Sequence, residues 1–257
     1  MMLKYYQKIK QRLAFKLRKL YIWMLYSKSQ AIASTQKSAI VFAPHQDDET
    51  LGCGGTIALK REQNVPVNVV FLTDGRASYA DYPQICPEEL VKIRRCEAIA
   101  ALNNLGIEQS AVHFLNQPDG SLSELSPLQR DDAIAQIVQL LRKYQPQEVY
   151  VPYKLDVHPD HKATYSLVQA AVQQANLPIE VLQYPVWARW LPDHLDFQSP
   201  ELAHVYRVSI NEVLSKKIAA LEAYRSQYLS IAPGVEPILP RGFMQYFFSP
   251  YEIFFKV

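Results

Sequence analysis

Ala39-Ile40-Val41-Phe42-Ala43-Pro44-His45-Gln46-Asp47-Asp48-Glu49 decides how the chain is read. An apolar run of five residues is followed, after one proline, by a histidine and three carboxylates within five residues. The apolar run reads as a short buried strand. Carboxylates crowded like this repel one another and cost desolvation unless a cation holds them together. A strand that delivers them onto the Gly-rich turn Thr50-Leu51-Gly52-Cys53-Gly54-Gly55 reads as a metal site rather than a surface loop.

Outward from this stretch, β-rich runs alternate with helical ones. After the strand over 40–43, the pattern predicts helices over 51–63, 87–105, 126–144 and 160–175. Between them it predicts strands over 65–72, 112–115 and 148–152. Strands separated by helices of this length form βαβ units. The expected fold is therefore α/β, a Rossmann-like three-layer sandwich with a mostly parallel sheet. The last third promises strands over 179–184, 204–210 and 251–257 and a helix over 211–228. Its loops carry Pro185, Pro192, Pro200, Pro233, Pro237, Pro240 and Pro250 and are candidate walls of a substrate cleft.

The 257 residues suffice for one such domain, and the net charge of +2 hides an asymmetry. Residues 1–46 carry nine Lys or Arg and no Asp or Glu; the other 18 basic residues face 25 acidic ones, a balance of −7. Residues 3–25 read as one amphipathic helix that precedes the sandwich. In it Tyr6, Ile9, Leu13, Leu17, Leu20 and Met24 share a face and most basic residues lie off it. Such a helix lies on an anionic membrane with Trp23 at headgroup level, or docks through the same stripe on the body or a second subunit. Both readings stay open, and the polar stretch 29–38 reads as a linker. The expected division is an arm and linker over 1–37 and a catalytic domain over 38–257. Nothing beyond the arm is basic, so no nucleic acid is expected. Cys53, Cys86 and Cys96 match no zinc-knuckle or disulfide spacing and read as reduced thiols of a cytoplasmic protein, peripheral on a membrane if the arm binds one. No run of about 18 apolar residues is present to span a bilayer, and the N-terminus lacks the pattern of a secretory signal.

In a parallel α/β sheet, ligands collect at the carboxyl ends of the strands. There the chain places His45 to Glu49, Thr73-Asp74-Gly75, Pro118-Asp119-Gly120 and Asp156-Val157-His158-Pro159-Asp160-His161, four loops that should converge. Two histidines and a carboxylate with an open position make a catalytic zinc site. Zn2+ held by His45, Asp48 and one histidine of the last loop would leave Asp47 to take a water's proton. The spare histidine would stabilise an oxyanion or protonate a leaving group. Of two rival readings, one uses the same residues and the other the basic helix. His45 and Asp47 with His161 formally match a two-histidine, one-carboxylate iron site, which the βαβ pattern disfavours. A non-catalytic membrane-surface adaptor would need no intact ligand set. His113, His194 and His204 read as structural or surface residues, Asp74 and Asp119 as turn caps or site residues, and the glycines as room for a helix to pack on the sheet.

The motifs Ala43 to Glu49 and Asp156 to His161 together resemble the zinc-dependent N-acetylglucosaminyl de-N-acetylases, the LmbE-like or PIG-L family. Also similar to that family are Thr73-Asp74-Gly75, Arg94-Arg95-Cys96-Glu97 leading into Leu105-Gly106, Pro118-Asp119-Gly120, and Lys217 followed by Ser226-Gln227. The resemblance covers residues 39–230 and leaves the arm outside. It implies His45, Asp48 and His161 as zinc ligands, Asp47 as general base and His158 as oxyanion and leaving-group partner. It further implies that Asp160 orients His158 or His161 from behind, and that Arg94 and Asp119 bind substrate. The implied reaction removes the N-acetyl group of an N-acetylglucosamine-type conjugate, giving acetate and a free amine, or hydrolyses a non-acetyl amide. Gln46 stands where many relatives have proline. Asp156 stands where some have tyrosine, so no role of that tyrosine transfers.

Overall fold

The computed structural model describes residues 16–33, 36–190 and 204–256. In chain order these form helix α1 (residues 16–28), β1 (Gln30–Ile32), β2 (Ala39–Ala43), α2 (Asp48–Glu62), β3 (Val67–Thr73), α3 (Pro87–Asn104) and β4 (Val112–Gln117). There follow α4 (Pro127–Tyr144), β5 (Glu148–Pro152), α5 (Pro159–Ala175), β6 (Glu180–Tyr184), β7 (Val205–Ser209), α6 (Leu214–Ala223), α7 (Arg225–Tyr228) and β8 (Tyr251–Lys256). Predicted residues 3–15 of the first helix, and Pro192, His194 and Pro200, lie outside the described residues.

All eight strands join one sheet in the order β1-β7-β8-β6-β5-β2-β3-β4, in which β8 runs antiparallel to both neighbours and every other pair is parallel. Side chains alternate across a strand, so β2 sends Ala39, Val41 and Ala43 to one face and Ile40 and Phe42 to the other. The first face packs under Leu51 and Ile57 of α2, Ala98 and Leu102 of α3 and Leu221 of α6. The second packs under Ile134, Ile137 and Leu141 of α4 and Leu167 and Val168 of α5. This is the expected mostly parallel three-layer sandwich.

Helix α2 lies close on the sheet because it carries glycine where other helices carry side chains. A Cβ on Gly52 would run into Cδ2 of Tyr184, and one on Gly55 would stand 2.5 Å from Cδ1 of Ile210. The helix is also tied to β8. Buried Glu252 accepts from the backbone N–H groups of Gly55 (2.7 Å) and Thr56 (2.8 Å) and pairs with buried Lys217 at 2.6 Å. Lys217 in turn donates to the Leu51 carbonyl at 2.9 Å. An ion pair out of water persists only when its remaining donors and acceptors are met, as here.

Three local expectations are corrected. The polar stretch read as a linker contains β1, which pairs in parallel with β7 through Gln30, Ala31 and Ile32. The helix expected over 211–228 is a turn of 3-10 helix, then α6, a break at Tyr224 (ψ 54°) and the single turn α7. The break turns the Tyr224 hydroxyl onto Glu49 Oε1 at 2.5 Å, a buried bond that a continuous helix would forgo. Finally, α1 docks on the body through Tyr21 and Leu25, which pack with Tyr153, Ala188, Val205, Ile253 and Phe255. The expected stripe takes part in this docking only in places, for its Met24 packs against the same cluster while its Leu20 is 53% exposed. No described helix is long and apolar enough to cross a membrane.

Candidate active site

Pro44 ends β2, and the chain turns sharply into α2. Asp47 takes φ 141°, a region that costs a non-glycine residue about 1–3 kcal/mol and persists only where its surroundings over-determine it. The surroundings are visible. Glu49 accepts the Asp47 backbone N–H at 3.1 Å, together with the hydroxyls of Tyr224 and Thr50. Gln46 donates from Nε2 to the Thr73 carbonyl at 2.7 Å, a bond that proline at this position could not make. Thr73 returns a bond from Oγ1 to the Pro44 carbonyl at 2.7 Å, and Arg94 donates to the Gln46 carbonyl at 3.2 Å and to Ser78 Oγ. Asp48 and Glu49 then fall in the first turn of α2, where the positive end of the helix dipole favours them. Sequence periodicity starts this helix three residues too late, because its acidic opening carries no apolar signal.

The four loops converge as expected. Asp48 Oδ2 stands 3.0 Å from His45 Nδ1 and 3.2 Å from His161 Nε2. Ligand atoms bound at about 2.0–2.1 Å around a tetrahedral zinc are separated by about 3.3 Å. His161 Nε2 is fully buried and makes no hydrogen bond, despite its nearness to Asp48. The second nitrogen of each imidazole is taken by a carboxylate. His45 Nε2 lies 3.2 Å from Asp119 Oδ1 and 3.3 Å from Asp160 Oδ2, and His161 Nδ1 lies 3.2 Å from Asp156 Oδ2. Such partners fix the tautomer and leave the opposite nitrogen free for a metal. Among the described residues, His45 also groups with His158 and His161, and with Asp119 and Asp160, at spacings that could hold a metal ion. The Asp160 oxygens are already engaged by the backbone N–H groups of Gly120 (2.8 Å) and Leu122 (3.0 Å). Asp48 Oδ2, which also accepts the His45 backbone N–H at 3.1 Å, lies within reach of both histidines. It is Asp48, and not the Asp47 of the iron reading, whose carboxylate meets both histidines.

The electrostatics agree with a place made for positive charge. Burial would push the His45 and His161 pKa values down, yet the surrounding carboxylates raise His45 well above its ordinary value and His161 to about 9. Asp48 is held far below the carboxylate range by the two imidazoles in spite of its burial. Burial, reinforced by the neighbouring Asp48 charge, raises Asp47 well above that range.

His158 caps α5. Its Nδ1 accepts the backbone N–H of Asp160 at 3.2 Å, so the neutral ring carries its proton on Nε2. Its ring centroid lies 4.7 Å from that of His45. Asp160 departs from expectation: its carboxylate faces His45, not His158 or His161. The residue behind His161 is Asp156, which the sequence reading noted only as a departure from tyrosine. Fully buried Asp156 also accepts the backbone N–H groups of Val157, Val186, Trp187 and Ala188 at 2.6–3.1 Å. A bare carboxylate in the sequence cannot announce partners that arrive from a loop thirty residues on.

His45, Asp47, Asp48 and His158 line a cavity of about 220 Å³, whose other walls include Arg94, Asp119, Gln227, Trp187 and Phe243. Asp119 Oδ2 accepts the Ala77 N–H at 3.0 Å, while Oδ1 lies 3.2 Å from His45 Nε2. Asp74 caps its own turn, accepting from the Arg76 backbone N–H (3.1 Å) and side chain (2.6 Å). His113 sits away from the site, 3.3 Å from Asn68.

Residues 40–172 match the PIG-L family, described as GlcNAc-PI de-N-acetylase. A probable N-acetyl-alpha-D-glucosaminyl L-malate deacetylase 2 of Bacillus anthracis is 30% identical over 195 residues, covering 75% of this chain and 82% of that protein. The N,N'-diacetylchitobiose deacetylase of Pyrococcus horikoshii superposes with a TM-score of 0.59 at 27% identity, covering 75% of this chain and 71% of that one. The conserved protein TT1542 of Thermus thermophilus gives the same TM-score at 28% identity, with 82% and 84% covered. The chain belongs to the PIG-L family and is, with it, an enzyme that hydrolyses amide bonds.

Proposed function

We propose that the protein is a zinc-dependent amidohydrolase that removes the acetyl group from an N-acetylated amino sugar of the N-acetylglucosamine type. The observation that carries this reading is the approach of Asp48 Oδ2 to His45 Nδ1 (3.0 Å) and to His161 Nε2 (3.2 Å), with His45, Asp47 and Asp48 lining the cavity. Held by these three residues, zinc supplies Lewis acidity that polarises a carbonyl oxygen and acidifies water. A cavity of about 220 Å³ suits one sugar ring better than an extended glycan.

The residues then divide the work. Asp47, wedged at the turn by Glu49, takes the proton of the attacking water as the new C–O bond forms. His158 donates its Nε2 proton in a hydrogen bond to the developing oxyanion. On collapse the C–N bond breaks, and the proton held by Asp47 passes to the departing nitrogen, leaving acetate and a free amine. Asp160 and Asp119 hold His45 from behind and Asp156 holds His161. Arg94, Ser78 and Gln227 offer polar contacts to sugar hydroxyls. The basic arm favours a substrate presented at a membrane over one that diffuses freely.

The test is Asp47→Asn in zinc-loaded protein, assayed for primary amine released from N-acetylglucosamine conjugates. Turnover should fall by a factor of about 10²–10⁴ with zinc content unchanged. Near-wild-type turnover would remove Asp47 from its role.

A further inference from the structure

Helix α1 is fixed to the body but only half covered by it. Tyr21 and Leu25 are buried, and the helix end is held by the Tyr26 hydroxyl, 2.5 Å from Ser249 Oγ, and by Arg207, which donates to the Tyr26 carbonyl at 3.1 Å. The helical period of 3.6 residues places Lys16, Leu20, Trp23 and Ser27 together on the opposite side, with Lys19 at its margin. All five are exposed, Trp23 at 65% and Leu20 at 53%. Residues 16–28 contain Lys16, Arg18, Lys19 and Lys28 and no acidic residue, whereas the chain beyond residue 46 has a balance of −7. An indole and a leucine framed by lysines, on a helix that the body orients, match the charge and depth profile of an anionic lipid headgroup layer.

The other side of the helix meets the body through a further contact. Arg18 stacks on Trp190 with its guanidinium carbon 3.8 Å from the ring centroid, and Trp190 lies 5.4 Å from Phe243. Phe243 is part of the wall of the active-site cavity. Two aromatic rings therefore link the body side of the helix to the wall of the cavity, and the outward face is left to other partners.

We propose that the outward face of α1 is a docking surface for an anionic bilayer. This docking surface stands independently of the deacetylase reading. Each lysine near an anionic surface strengthens binding by a factor of about five.

The experiment uses the full chain in co-sedimentation with vesicles of phosphatidylglycerol and phosphatidylcholine, and with phosphatidylcholine alone. It compares the wild type with Leu20→Ser/Trp23→Ser and with Lys16→Glu/Lys19→Glu, each checked for folding by circular dichroism. Wild type should bind the anionic vesicles and lose them in high salt, and both variants should bind at least about 20-fold more weakly. All three proteins should deacetylate a soluble N-acetylglucosamine conjugate at the same rate. Equal vesicle binding by wild type and variants, or none by wild type, overturns the proposal. So does a wild-type dimer in light scattering that the serine variant abolishes, since the face would then be covered by a second copy. Absence of turnover from every protein, with vesicle binding as expected, would instead refute the deacetylase reading and leave the docking surface standing.

Discussion

Replacing Asp156 with alanine removes at one stroke the acceptor of four backbone N–H groups and of the His161 imidazole. Hydrogen bonds to a charged group contribute about 1.5–3 kcal/mol each, but they share one carboxylate and cannot simply be added. Breaking a buried charged group out of its network costs about 3–5 kcal/mol, which is the loss expected in urea unfolding of the alanine variant. Asp156→Asn keeps the shape and one acceptor oxygen and should lose roughly half as much. The second consequence concerns His161. Without the carboxylate on Nδ1 the ring is free to hold its proton on Nε2, where the metal should bind, and zinc affinity should fall about 10–100-fold. Chelator competition on the folded Asn variant measures this separately from unfolding. If the Asn variant loses stability as expected but binds zinc within twofold of wild type, Asp156 only anchors the 186–188 loop, and its proposed role behind the metal ligand is wrong.

Other outcomes follow from the same geometry. Asp160→Asn should weaken zinc binding about 10–100-fold through His45 with the fold retained by circular dichroism; unchanged affinity would leave Asp119 as the sole support. Lys217→Met, which strands Glu252 without a cation, should cost about 3–5 kcal/mol in urea unfolding, and Lys217→Met/Glu252→Gln should cost less than the single change. A double variant worse than the single would deny that the two charges are coupled. Gly52→Ala, whose new methyl meets the Tyr184 ring, should lower stability by about 1–3 kcal/mol, and no loss would mean that α2 can lift off the sheet freely. Lys256 and Lys37 hold the Glu180 carboxyl below its ordinary pKa. Its stabilisation is therefore present above the unfolded value of about 4.3 and lost as pH falls through the folded one. The stability gap between wild type and Glu180→Gln should be at most about 1 kcal/mol at pH 7 and close by about pH 3; a gap that widens in acid would contradict the sign.

The sandwich was legible because strands and helices differ in period, and 39–43 and 67–73 bury both faces and so read as mostly apolar runs, the second interrupted by Asn68. The convergence of the four loops followed from topology alone, since parallel strands deliver their ends to one side. What stayed hidden has a common physical origin in partners that come from far along the chain. Gln30-Ala31-Ile32 shows no alternation to mark it as a strand and becomes one only beside β7. The 211–228 region has an unbroken helical pattern, and its break at Tyr224 answers a carboxylate at residue 49. For α1 the described part of the stripe divides: Met24 packs on the body beside Tyr21 and Leu25, while Leu20 is left outside. Asp160 was expected behind the histidines of its own motif and stands instead behind His45, a pairing across 115 residues.

The antiparallel strand β8 has a consequence for the order of assembly. It lies between β6 and β7, and β1 hangs from β7, so the sheet on that side has no continuity until residues 251–256 are in place. The bed on which α1 rests is built partly from Ile253 and Phe255 of the same strand. The first described helix to leave the ribosome therefore has no complete surface to settle on until more than 220 further residues have been made. Contacts closed over such sequence distances form slowly. During that interval α1 is a free basic amphipathic segment, so a nascent chain could meet an anionic surface before its catalytic residues are assembled.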